Sequence, residues 1–228
     1  MVIRRRWKSR WTPKRKWPWA TIRVGEKTRT DTQGNVTKAW DHDPPAKTKL
    51  APLGILVLMT GALTLIFGSH ETSDFWIDGL QWWWQQVHGQ FTHIRTLVIY
   101  LDNGPNNSGT RTQFLKRLVD FADWSGLTLR LVYYPPYHSK YNPIERCWSA
   151  LERKWNGVLL TTLQVVLDCA LRMVWKGKRP TVEYLAGAYP DGISVTGRPA
   201  KRALESRLER SPGLLRKYDI TIRPRPVA

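Results

Sequence analysis

The sequence predicts an α/β fold, a sheet containing parallel strands with helices on its faces. Three observations carry that prediction. Residues 97–101 and 127–134 are short runs rich in apolar, β-branched and aromatic residues, the composition of buried strands. Between them, Phe114, Leu115, Leu118, Val119, Phe121 and Ala122 recur at helical spacing, and Gly126 closes that helix. A second helix follows the second run after a Pro-rich turn. Parallel strands joined by a right-handed helical crossover end on one edge of the sheet. Open α/β sheets bind ligands at that carboxyl edge.

The remaining elements follow in chain order. Residues 1–19 hold eight Lys/Arg, four Trp and two Pro without periodicity, and read as a disordered leader. A basic arm that contacts phosphates and stacks Trp on bases is the alternative. Residues 20–25 suit a short strand, and 26–49 are polar and turn-rich. Residues 50–67 carry no charge across eighteen positions, which touches the length of a membrane span. Pro52, Gly54 and Thr60-Gly61 break a helix there, so two strands at 53–59 and 62–68 are the preferred reading.

Ser73 suits an N-cap for a helix through Val87, with Phe75, Ile77, Leu80, Trp83, Trp84 and Val87 on its apolar face. Trp82, Trp83 and Trp84 cannot all face one way, so at least one ring is exposed or touches a partner. Asn142, Pro143 and Glu145 form a helix start: cap, first helical residue, and an acid three positions after the cap. Ile144, Trp148, Leu151 and Trp155 form that helix's buried stripe. Residues 161–175 read as a further helix with Leu163, Val166, Leu167, Ala170, Leu171 and Val174 inward. Beyond it come a helical turn near 181–188, a helix at 198–210 and an irregular tail.

Composition narrows the function. Thirty-six Lys/Arg against eighteen Asp/Glu give a net charge of +18, and nucleic acid is the first anionic partner to consider. The surplus is uneven: eight charges lie in 1–19 and seven in 176–228, leaving three for 20–175. Two cysteines, Cys147 and Cys169, exclude a disulfide scaffold and fit a cytoplasmic protein. No Cys/His spacing suits zinc, and the charged N-terminus lacks the apolar core of a secretory signal.

Two acids stand out at the predicted carboxyl edge. Asp102 ends the first run and Glu145 lies in the first turn of the later helix. Each alone has a structural explanation, Asp102 as an Asx turn and Glu145 as a cap partner. Together they suggest a divalent cation held by hard oxygen ligands. Asn103, His138, Lys140 and Asn142 flank them as nucleic-acid-contact candidates, with solvated loop positions as the alternative for His138 and Lys140.

Residues 97–109, LVIYLDNGPNNSG, and 131–148, LVYYPPYHSKYNPIERCW, resemble the second and third acidic positions of DDE/DDD transposases. The likeness is to mariner-like bacterial insertion-sequence enzymes with a ribonuclease-H-like catalytic domain, and it rests on Pro135, Pro136, Tyr137, Ser139, Asn142, Pro143, Ile144, Glu145 and Trp148. It extends over about 20–224. The resemblance implies a ribonuclease-H-like mixed sheet flanked by helices at 20–175, with a helical basic C-terminal extension at 176–228. It implies Mg²⁺ or Mn²⁺ in a two-metal site, with Asp102 and Glu145 as ligands and catalytic residues. Its substrates are the DNA of element ends and target, hydrolysed and then joined by the freed 3′-hydroxyl. The implied setting is the cytoplasm at the nucleoid, without membrane. Partnering by a second copy or by another transposase stays open.

One departure stands beside the matches. Such enzymes carry a first Asp on the first strand of the fold, and the corresponding stretch here, 16–25, has no acid. The expectation is therefore an N-terminally truncated transposase with impaired catalysis, in which 17–24 pair with the sheet but bring no ligand. A non-catalytic DNA- or transposase-binding remnant is the competing reading. Asp31, Asp41 and Asp43 lie nearby in predicted loop.

Overall fold

The computed structural model describes residues 2–4, 50–135, 141–158 and 160–226. Among them, eight strands form one mixed sheet in the order β6-β3-β2-β1-β4-β5-β8-β7. The uncharged stretch is a hairpin, β2 (Ala51–Leu56) and β3 (Leu63–Gly68), which pair antiparallel. Gly61, at φ 69°, makes the turn that a helix could not. β4 (Thr96–Leu101) and β5 (Thr128–Tyr133) pair in parallel through all six residues, joined by α2 (Thr112–Ser125). Gly126 closes α2 in the left-handed conformation, as its position predicts.

The slot between β2 and β4 is filled by β1 (Val2–Arg4). It runs antiparallel to β2 and parallel to β4, with Val2 opposite both Leu56 and Tyr100. The leader expected to lack structure thus supplies a three-residue central strand. The pairing expected of 17–24, and the predicted strand at 20–25, fall outside the described residues. The run β3-β2-β1-β4-β5, with only β2 reversed, is consistent with the ribonuclease-H-like sheet the resemblance implies.

Helices cover both faces. α1 (Ser73–Val87) and α2 pack on one face, where Phe75, Trp76, Leu80, Leu115, Leu118 and Phe121 meet Ile99, Leu101 and Leu129. α3 (Ile144–Trp155) and α4 (Leu163–Leu171) cover the other, where Ile144, Trp148 and Leu151 meet Leu56, Leu65 and Phe67. Trp83 and Trp84 are buried and Trp82 is half-buried, which resolves the three-Trp conflict at the rim of the core. Arg117 of α2 bridges Asp74 and Asp78 of α1 at 2.9 and 2.5 Å, and Gln113 donates to the same Asp74.

Three boundaries differ from the sequence reading. The cap of α1 is Thr72, whose hydroxyl accepts from Phe75 N, and Ser73 is freed to bind the loop after β4. α4 ends at Leu171 rather than 175; beyond it Lys176 and Gly177 turn the chain with positive φ, Trp175 bridges back to Lys178, and Val174 is exposed. The expected helical C-terminal extension also carries three strands. β6 (Thr181–Leu185) pairs parallel with β3, and β8 (Asp219–Ile222) pairs antiparallel with β5 and with β7 (Leu208–Arg210). Of the expected helices only α5 (Arg198–Glu205) forms, and a 3-10 turn at Gly213–Lys217 lies in the stretch expected to be irregular. Strand edges left bare at β3 and β5 supply the hydrogen-bonding groups these short segments need.

Ion pairs fasten this C-terminal segment. Arg207 holds Asp123 of α2 through two bonds of 3.0 and 2.6 Å, Arg130 of β5 holds Asp219, and Arg223 holds Glu209. Hydrogen bonds from Arg207, Arg130 and Arg223 keep the Asp123, Asp219 and Glu209 carboxyls below the usual carboxylate range. A carboxyl whose value is lowered on folding stabilises the fold above its unfolded value and loses that contribution as pH falls through the folded one. The urea midpoint should therefore drop below about pH 4, and less steeply in Arg207→Ala. An equal drop in both proteins would remove Asp123 from the titrating set.

Candidate active site on the carboxyl rim

β4 delivers Asp102 to the rim one residue past its end. Asn103, at φ 58°, then turns the chain out of the sheet and stays half-exposed. The loop that follows is anchored rather than loose. Asn107 is fully buried and donates through Nδ2 to Asp102 Oδ1 at 2.9 Å. Ser73 Oγ donates to Asn106 O at 2.7 Å, and Asn106 Nδ2 donates to Glu71 O, so the start of α1 holds the loop. Sequence reasoning missed Asn107; the Asn-Asn-Ser-Gly stretch reads as ordinary turn and offers no signal for it.

Strand alternation sets the direction of Asp102. Leu97, Ile99 and Leu101 join the core under α1 and α2, while Tyr100 packs with the core under α3. Period two places Asp102 on the Tyr100 side, the face that α3 covers. Glu145 lies in the first turn of α3. That turn is seated by Ile144 and Trp148 on the bare backbone of Gly54, where a Cβ would lie 2.9 and 2.7 Å from their side chains. Gly54 pairs with Arg4, and two residues on from the Val2–Tyr100 pair Arg4 comes level with Asp102. Gly54, Arg4 and Asp102 thus share a row across three neighbouring strands, with the outer two about 10 Å apart. Both acids sit at this rim on the α3 face.

The start of α3 differs slightly from the sequence reading. Pro143 is the cap, and Asn142 Oδ1 accepts from Ile144 N at 3.4 Å while its carbonyl accepts from Glu145 N at 3.1 Å. Asn142 has no exposed surface, so it serves the helix start, and a DNA contact there needs local opening. His138 and Lys140 lie outside the described residues. Beside the acids, burial pushes the Tyr133 phenol well above its usual value; Arg210 opposes that rise and Asp102 adds to it. Burial also pushes the Cys147 thiol to about 12, so it stays protonated and unsuited to act as a nucleophile.

Residues 21–224 match the family described as Rhodopirellula transposase DDE domain. The chain belongs to that family of DDE transposases. A comparison with curated proteins finds no match. The mixed α/β sheet is consistent with that transposase family, which implies DNA as partner. No helix among the described residues is long and apolar enough to cross a membrane.

DDE transposases generally use divalent metal ions. Asp102 and Glu145 offer hard oxygens suited to them. Among the described residues, however, no group of three His, Cys, Asp or Glu is placed to hold a metal. The strand beside Asp102 brings Val2, Ile3 and Arg4, and no carboxylate. Asp31, Asp41 and Asp43 fall outside the described residues. The described part of this transposase domain therefore does not compose the expected two-metal centre.

Proposed function

We propose that this transposase domain, of the mariner-like insertion-sequence group, binds DNA at its carboxyl rim with impaired strand cleavage and strand transfer. The observation that carries the reading is the occupant of β1. The strand between β2 and β4 lies level with Asp102, and its three residues are Val, Ile and Arg. In-line phosphoryl transfer at a two-metal site needs acids that hold two cations about 3.5–4 Å apart. Asp102 and Glu145 are the two acids of such a set among the described residues, and the strand level with Asp102 has no third acid in its sequence.

What the chain's own residues do is position. Asn107 orients the Asp102 carboxylate, the Gly54 seat orients the first turn of α3, and the basic surface draws the DNA backbone to the rim. The test is cleavage of element-end DNA in Mg²⁺ or Mn²⁺, comparing the chain with Glu145→Ala. Residual nicking, at least 100-fold below that of an intact family member (roughly what a lost charge-stabilising group costs) and abolished by Glu145→Ala, is the expected result. Rapid Glu145-dependent cleavage would overturn the impairment. Salt-sensitive DNA binding with no Glu145-dependent cleavage would favour the second reading, a non-catalytic binding remnant, which the same Val-Ile-Arg strand also supports.

A further inference from the structure

A groove of about 400 Å³ lies between the start of α2 and α5, outside the acidic site. Thr110 and Thr112 line one wall, and Lys201 and Arg202 line the other. Its only acid is Glu205, and both of that residue's oxygens are occupied by Arg210, at 2.6 and 3.1 Å. The first turn of α2 carries no acid either. Lys201 and Arg202 are exposed and make no ion pair among the described residues, so the groove presents two uncompensated cations beside two hydroxyls. Arg198, four residues before Arg202, extends the positive stripe one turn along α5.

The groove opens on the same rim as Asp102. α2 begins where the loop from Asp102 ends. β7 is antiparallel to β8, which is antiparallel to β5, so β7 runs the same way as β4 and β5. Its last residue, Arg210, therefore ends at the carboxyl rim, where its Nη1 donates to Gly109 O at 2.9 Å. Three strand spacings, about 14 Å, separate β4 from β7. At about 3.4 Å of axial rise per phosphate along one strand, that is roughly four phosphates.

We propose that this groove seats a backbone phosphate of the DNA strand that passes the Asp102 rim, with Lys201 and Arg202 as its counter-ions and Thr110 and Thr112 as hydroxyl donors. The proposal rests on the DNA-binding reading above. No aromatic side chain lines the groove, so it has no platform for stacking a base. Contacts to phosphate position a duplex without reading its sequence. Binding there is accordingly independent of sequence and sensitive to salt.

The test measures duplex binding to the full chain by fluorescence anisotropy between 50 and 200 mM salt. It compares the parent with Lys201→Ala, Arg202→Ala and the double variant. Arg95→Ala is the control for charge alone, because Arg95 precedes β4 and sits at the opposite rim. In the double variant the slope of log K against log salt should become shallower by about 0.9 if the cations share one phosphate, or about 1.8 if each holds its own. Arg95→Ala should leave the slope unchanged. A double variant with the parent's slope, or an equal loss in Arg95→Ala, overturns the groove while leaving DNA binding intact. A parent chain that does not bind duplex at all overturns both readings. A deoxynucleoside monophosphate titrated alone separates the DNA backbone from a small anion: saturation at micromolar concentration, lost in the double variant, would assign the groove to the small anion instead.

Discussion

Trp148→Ala is expected to lower stability by about 3–5 kcal/mol, the cost of deleting a large buried aromatic side chain. Trp148 is 4% exposed, and its ring lies on Gly54, where the absence of a Cβ lets α3 approach the sheet. The indole fills the second core together with Ile144 and Leu151. Removing it leaves a cavity directly beneath the first turn of α3. A domain stability of 5–15 kcal/mol makes that loss a large fraction of the whole. The effect also reaches the site, because Glu145 sits on the same turn. Urea denaturation of Trp148→Ala and Trp148→Phe checks the argument. The Phe variant should keep more than half of the lost stability. A loss under about 1 kcal/mol in the Ala variant, the range of ordinary exposed positions, would mean that α3 is not seated as described.

Gly109→Ala is expected to cost about 1–3 kcal/mol through overpacking. A Cβ at Gly109 would collide with the Lys217 carbonyl oxygen and lie 3.1 Å from Ile220 Cδ1. The first neighbour is backbone, so the chain must move rather than a flexible side chain. The loop after Asp102 and the 3-10 turn Gly213–Lys217 touch there, and Arg210 ties Gly109 O to the same region. Chemical denaturation measures the cost. Hydrogen exchange locates it: the amides of Ser211 and Tyr133, bonded to Asp219 O and Tyr218 O, should exchange faster in the variant. Unchanged exchange at both would show that the C-terminal segment is not held through Gly109.

The acids at the rim were legible because each stands in a strong local pattern. Asp102 ends a β-branched run, and Glu145 follows Asn-Pro at a helix start. The same local signals located β2, β3, β4, β5, α1, α2 and α3 to within a few residues. Asn107 and the Lys201–Arg202 groove were not legible, because a buried amide in a turn-rich loop and two cations on a short helix look like ordinary polar sequence. The C-terminal strands were misread for a related reason. Five residues such as Thr181–Leu185, closed by Pro180 and Gly187, hold too little periodicity to separate a strand from a turn.

What the sequence by itself determined is the family, the two rim acids and the absence of an acid from 16–25, since these depend on residue identity and short-range spacing. Tertiary structure alone decided which segment lies beside Asp102. A central strand must satisfy hydrogen bonds on two edges at once, and only the positions of β2 and β4 select Val2–Arg4 for that slot. The same non-local demand drew β6 and β8 from a supposed extension onto the open edges of the sheet.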